Sequence, residues 1–226
     1  MIEVISITLV IIGALIGAGF ASGQEIFSFF YIYGKNGIYG ILIMSILIGI
    51  FIYKSLKIIY QKQVYNYNDF LNLFIKNTKI RNVILWIVNV LLLVSFYIMV
   101  AGFGAYFEQE IGINRIIGSI VLNLLCVIVF FSNIKGVLKA SNLIVPFLIF
   151  FIFFIGIKNI VQIRTIDFHQ MKNNWILSMI IYNSYNFILL MPVLISLKKQ
   201  ITKEKNIKKV SILVTIIILI LSISIF

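Results

Sequence analysis

The sequence predicts an all-α, polytopic membrane protein with about seven transmembrane helices. Three observations carry that prediction. The chain is 62% hydrophobic and only 12% charged over 226 residues, whereas a soluble domain has about 45–50% apolar and about 25% charged residues. The apolar residues fall in runs long enough to cross a hydrocarbon core of about 30 Å. The basic residues lie between those runs. The short alternating segments of a porin-type barrel are not seen in the sequence.

The first span covers 4–33. As one helix it would be roughly 45 Å long, well beyond the hydrocarbon core. Gly17, Gly19 and Gly23 fall near its middle, with Gln24-Glu25 directly after them. We read it as two half-helices around an unwound stretch. Met1-Ile2-Glu3 has no basic n-region and the run is too long for a cleaved signal peptide, so the segment is retained. Gly34-Lys35-Asn36-Gly37 is a turn. The second span is 37–60, with Lys54 and Lys57 placed to snorkel to the interface. Residues 61–81 are polar and basic, and Phe70, Leu71, Leu73, Phe74 and Ile75 predict a short helix on the membrane surface. The third span is 82–107, the fourth 115–133 and the fifth 140–162, with Pro146 as a kink position. A polar connection, 163–174, leads to the sixth span at 175–197. The seventh, 210–226, has about 17 residues, the minimum to cross. The chain stops at Phe226 inside an apolar run, which predicts a fragment of a longer protein or a truncated reading frame.

The net charge is +12. In a soluble protein this would suggest nucleic acid; here it marks loops under the positive-inside rule. Fourteen Lys and Arg residues follow spans two, four and six, and five lie in the other connections. The N-terminus is therefore expected on the cytoplasmic side. The first span then runs outward and the sixth inward. Cys126 lies alone in an apolar run and can form no intrachain disulfide. His169, the single histidine, falls in a connection. No metal site or catalytic pairing is expected, and no P-loop or HExxH motif is present. The chain is read as a non-enzyme without a cofactor or a nucleic-acid partner. Oligomeric state is left open.

Two spans carry polar or helix-breaking residues at membrane depth. One is the stretch 13–25. The other is Tyr182-Asn183-Ser184-Tyr185-Asn186 in span six, with Pro192 after it. Such groups must meet each other, freed backbone, water or a ligand. Spans five apart and oppositely directed, interrupted at matching positions, point to a secondary-transporter site between inverted repeats. Close helix packing through small residues, or an interhelical hydrogen-bond cluster, would explain the same residues without a ligand. Glu25 is either a buried group able to carry a proton or an interfacial carboxylate in contact with water. Tyr97, Gly102 and Gly104 on span three line a central cavity or serve packing.

The string Ile-Gly-Ala-Gly-Phe-Ala-Ser-Gly-Gln-Glu-Ile at 16–26, with Phe29-Phe30 and Gly34, resembles the opening signature of the YkvI-type bacterial membrane-protein family. Tyr185-Asn186 and Met191-Pro192-Val193-Leu194 resemble its later signature. That family is similar to the amino acid–polyamine–organocation transporter superfamily. The resemblance implies a leucine-transporter-like inverted-repeat fold. The single transmembrane domain 1–226 would then hold a first five-helix repeat (1–162) and the start of a second (175–226), truncated before the rest. It implies a substrate site between broken first and sixth helices. On this chain the site comprises Gly17, Ala18, Gly19, Phe20, Ser22 and Gly23, then Asn183, Ser184, Tyr185 and Asn186, with Tyr97 nearby and Glu25 as a proton- or ion-coupling group. The expected function is secondary transport of a small organic solute such as an amino acid, coupled to sodium or protons. The alternatives are a non-transporting sensor or receptor subunit and a non-functional truncated fragment.

Overall fold

The computed structural model describes residues 2–162 and 172–226. His169 and most of the 163–174 connection lie outside the described residues. Ten α-helices and no strand occur among the described residues. They are α1 (Ile2–Leu15), α2 (Ala18–Ala21), α3 (Gln24–Phe29), α4 (Lys35–Gln61), α5 (Tyr67–Asn72), α6 (Thr78–Tyr106), α7 (Arg115–Phe131), α8 (Asn133–Gln162), α9 (Trp175–Ser196) and α10 (Glu204–Ile225). Five helical segments among the described residues are long and apolar enough to cross a membrane. They are α4, α6 with the π turn Phe107–Ile111 that continues it, α8, α9 and α10. α1 and α7 are shorter apolar helices. These seven fall at the seven predicted spans. Trp86, Phe130, Phe131 and Phe147 stand exposed, a surface costly in water and suited to lipid. The chain is an all-α polytopic membrane protein.

Local chemistry explains the helix starts. Three asparagines cap helices by accepting backbone N–H bonds: Asn66 from Asp69 at 2.8 Å, Asn77 from Lys79 at 2.9 Å and Asn114 from Ile116 at 2.9 Å. Each occupies donors that the first helical turn leaves open. The predicted surface helix is confined to the six residues of α5.

Two boundaries differ from those expected. α10 begins at Glu204, not 210, and has 22 residues. The basic run 205–209 is part of the helix, because Ile207, Val210 and Val214 recur at helical spacing and are buried. α8 begins at Asn133, not 140. Asn133 takes φ +51, a left-handed conformation that asparagine tolerates, so the chain turns from α7 into α8 without a loop. Lys135 and Lys139 sit in the first turns of α8.

Cα packing divides the chain into two compact units, Met1–Tyr65 with Ser141–Phe226, and Asn66–Ala140. In the first unit α4 packs on α10 and α9, and α1 packs on α10. Its core is aliphatic: Ile11, Ile12, Ile41, Met44, Leu56, Leu194 and Val214 are buried. The Ser211 hydroxyl on α10 donates to the Gly49 carbonyl on α4 at 2.6 Å. Interhelical bonds of this kind are worth about 0.6–2 kcal/mol in membranes. Ser211→Ala is expected to lower stability by roughly 0.5–1.5 kcal/mol, read as a lower midpoint in thermal unfolding of the detergent-solubilised protein. At one end of this unit the Glu3 carboxylate accepts from the Thr202 N–H at 3.0 Å, the Thr202 hydroxyl at 2.6 Å and the Asn206 amide at 3.1 Å. These bonds join the first turn of α1 to the start of α10.

The second unit is built on the α6–α7 hairpin. Gly104 of α6 backs onto Ser119 and the Arg115 carbonyl of α7, so it is a packing glycine. Gly102 has no neighbour within contact range of a Cβ.

Candidate functional site

The first apolar run is interrupted twice. α1 ends at Leu15, and its last bond runs from the Ile16 N–H to the Ile12 carbonyl at 2.9 Å. A single turn follows, Ala18–Ala21. Gly23 then takes φ +78 before α3 starts at Gln24, a conformation that glycine adopts without strain. The Ser22 hydroxyl donates to the Gly19 carbonyl at 3.2 Å, satisfying backbone that the break has freed. Glu25, in the first turn of α3, faces the break. A Cβ placed on Gly19 would stand 2.6 Å from Glu25 Oε1, and one on Gly17 would stand 3.9 Å from the same atom.

The other carboxylate oxygen faces α9. The Tyr185 hydroxyl donates to Glu25 Oε2 at 2.7 Å. An aromatic cluster surrounds this bond. Tyr182 lies edge-on to Tyr185, Phe29 and Phe30, each with ring centroids 5.2 Å away. The Ser178 hydroxyl donates to the Phe29 carbonyl at 3.0 Å. Ser178, Tyr182 and Tyr185 are spaced i, i+4, i+7, so one stripe of α9 holds α3 in place. An open cavity of about 650 Å³ lies beside the cluster, lined by Phe29, Tyr33, Asn174, Leu177, Ser178 and Ile181 among others. Phe29 borders the cavity on one side and the Tyr182–Tyr185 pair on the other.

The expected break in span six does not occur. α9 runs unbroken from Trp175 to Ser196, with Pro192 inside it. The reason lies in the side chains that suggested a break. The Asn183 amide donates to the Met179 carbonyl at 3.0 Å, the Ser184 hydroxyl to Ile180 at 2.7 Å and the Asn186 amide to Tyr182 at 2.9 Å. Each bonds back to its own preceding turn, so it decorates the helix without unwinding it. Asn183 and Asn186 are buried and Ser184 is exposed. Asn183 Oδ1 is a buried acceptor with no hydrogen-bond partner among the described residues.

Gly17, Gly19, Glu25 and Tyr185 are thus brought together. Phe20 is buried in the one-turn helix that Ala18 opens. Gly23 makes the turn into α3, and Ser22 is exposed. Tyr97 belongs to the second unit and is exposed on α6. Phe29 and Ser178 join the site without having been singled out for it, as does Tyr182, which the sequence marked only as part of the polar stretch of span six. The i, i+4, i+7 stripe is the sequence signal for the last two. No cluster of three His, Cys, Asp or Glu side chains suited to a metal occurs among the described residues.

No family model matches the chain. No solved structure matches it either. A curated protein does: the chain is 30% identical over 212 residues to the uncharacterized membrane protein YkvI of Bacillus subtilis (strain 168). The match takes in 88% of this chain and 58% of the relative, so the chain spans somewhat over half the length of the curated protein it matches. The 16–26 signature at an interrupted membrane helix and that similarity over most of the chain's length support a YkvI-type family of membrane proteins.

Proposed function

We propose that this chain forms the substrate-binding part of a secondary transporter for a small organic solute such as an amino acid, driven by protons or sodium. One observation carries the reading: Glu25 stands at a helix interruption with one carboxylate oxygen against Gly17 and Gly19 and the other bonded to Tyr185. An ionisable group inside an apolar segment is costly unless it has a task. Interrupted helices place free backbone groups where a ligand can use them. Glu25 is then the group that gains or loses the coupling proton, and Tyr185 holds its carboxylate. Ser22, Asn183, Ser184 and Asn186 remain assigned as further substrate contacts in this reading. So does the leucine-transporter-like arrangement, with a cytoplasmic N-terminus in the bacterial inner membrane. The work proposed is binding and movement of a solute rather than catalysis.

The test is uptake by proteoliposomes containing the chain, with a panel of labelled amino acids under imposed proton and sodium gradients. Gradient-dependent uptake of at least one, lost in Glu25→Gln, is expected. No uptake of any of them under either gradient would count against transport. A second reading rests on the unbroken α9, which lacks the second hinge of a transporter site. It makes the protein a receptor that binds the solute without moving it. Saturable binding without uptake in the same vesicles would favour that reading.

A further inference from the structure

A cavity of about 500 Å³ opens between α4 and α10 in the first unit. The two helices run antiparallel, since Lys57 lies 4.0 Å from Glu204 at one level and Ser211 bonds to Gly49 at another. The Thr215 side chain covers Gly49 where a Cβ would otherwise stand, so the floor of the groove is backbone and small hydroxyl side chains. Its lips are Ile46, Ile50, Ile212 and Ile216, which remain 53%, 46%, 48% and 47% exposed. From 46 to 53 the groove runs about 10 Å along α4.

One end of the groove is polar and basic. Tyr53 and Lys208 line it from facing walls. Lys57 follows one turn beyond Tyr53, its ammonium 5.8 Å from the centre of that ring. Glu204, the acid at this end, already accepts from the Gln61 amide at 2.9 Å as well as facing Lys57. Among the described residues Lys208 pairs with no carboxylate.

The geometry points to a binding site for an anionic phospholipid. The phosphate sits at Lys208 and Lys57, the Tyr53 hydroxyl meets the glycerol region, and one acyl chain lies along the isoleucines. Tyrosine is at home at headgroup depth. Basic pockets between membrane helices hold phosphate headgroups through charge. A further membrane helix in the groove would have to pair or bury the Lys208 ammonium, which makes the lipid the better occupant.

The experiment is native mass spectrometry of the full chain, delipidated in neutral detergent and offered equal amounts of phosphatidylglycerol and phosphatidylcholine with the same acyl chains. Preferential retention of one phosphatidylglycerol is expected. Lys208→Ala should lower it about fivefold, and Lys57→Ala with Lys208→Ala should reduce it to the phosphatidylcholine level. Lys199→Ala, at an exposed lysine that does not line the groove, should leave retention unchanged, and circular dichroism should show every variant helical. Equal retention of the two lipids would overturn the proposal, as would retention indifferent to both lysine changes. So would displacement by inorganic phosphate, which would mark a site for free phosphate. A dimer of the chain in place of the lipid adduct would overturn it too and assign the groove to a second copy.

Discussion

Gly19→Leu is expected to abolish solute binding and to lower stability by about 1–3 kcal/mol, the usual cost of overpacking a filled site. The Cβ alone would stand 2.6 Å from Glu25 Oε1 and 2.9 Å from Glu25 Cγ, so any side chain must push the carboxylate away from the break. The carboxylate cannot retreat freely, because Tyr185 holds Oε2 and the Phe29–Tyr182 contact fixes α3 on α9. The Glu25–Tyr185 bond is the contact that gives way. Equilibrium binding of the solute identified by uptake, with thermal unfolding measured alongside, checks this. Binding at the wild-type level would show that Gly19 does not adjoin the site. Gly102→Leu is the matching control, since nothing stands within 4 Å of a Cβ there.

Tyr185→Phe is expected to reduce binding by about tenfold to a hundredfold, because a hydrogen bond to a charged group is worth about 1.5–3 kcal/mol. The change removes one oxygen and keeps the ring, so the packing against Phe29 and Tyr182 stays. A double-mutant cycle separates the bond from general damage. Glu25→Gln with Tyr185→Phe should be little worse than either single change if the two act through one contact. Additive losses would mean that the 2.7 Å bond makes no contribution of its own. Thermal midpoints of all three variants show whether any loss comes from unfolding.

The break at 16–23 is legible in the amino-acid sequence. Three glycines within seven residues, in a run too long for one helix, leave little else for the backbone to do. The seven apolar stretches are legible for a similar reason. Burial in lipid demands a continuous apolar surface, and composition reports that directly. Asn183–Asn186 is legible as polar but not as helical. Whether asparagine unwinds a helix or bonds back to its own preceding turn depends on what its side chain meets. The i−4 bonds of Asn183 and Asn186 decide for the helix here. At α10 charge and periodicity disagree: the lysines at 205, 208 and 209 suggest a loop, and the Ile207–Val210–Val214 period makes the same residues helical.

Class, span positions and the interruption of the first helix follow from the amino-acid sequence, because each depends on local composition and backbone preference. Which partner Glu25 takes does not. Glu25 and Tyr185 are 160 positions apart, and no local pattern links an acid on one segment to a particular tyrosine on another. That pairing exists because Ser178, Tyr182 and Tyr185 form one stripe of an unbroken α9, and because α3 lies against that stripe after the left-handed turn at Gly23. The tertiary fold decides it by bringing the only glutamate of the first span to a tyrosine placed to hold it.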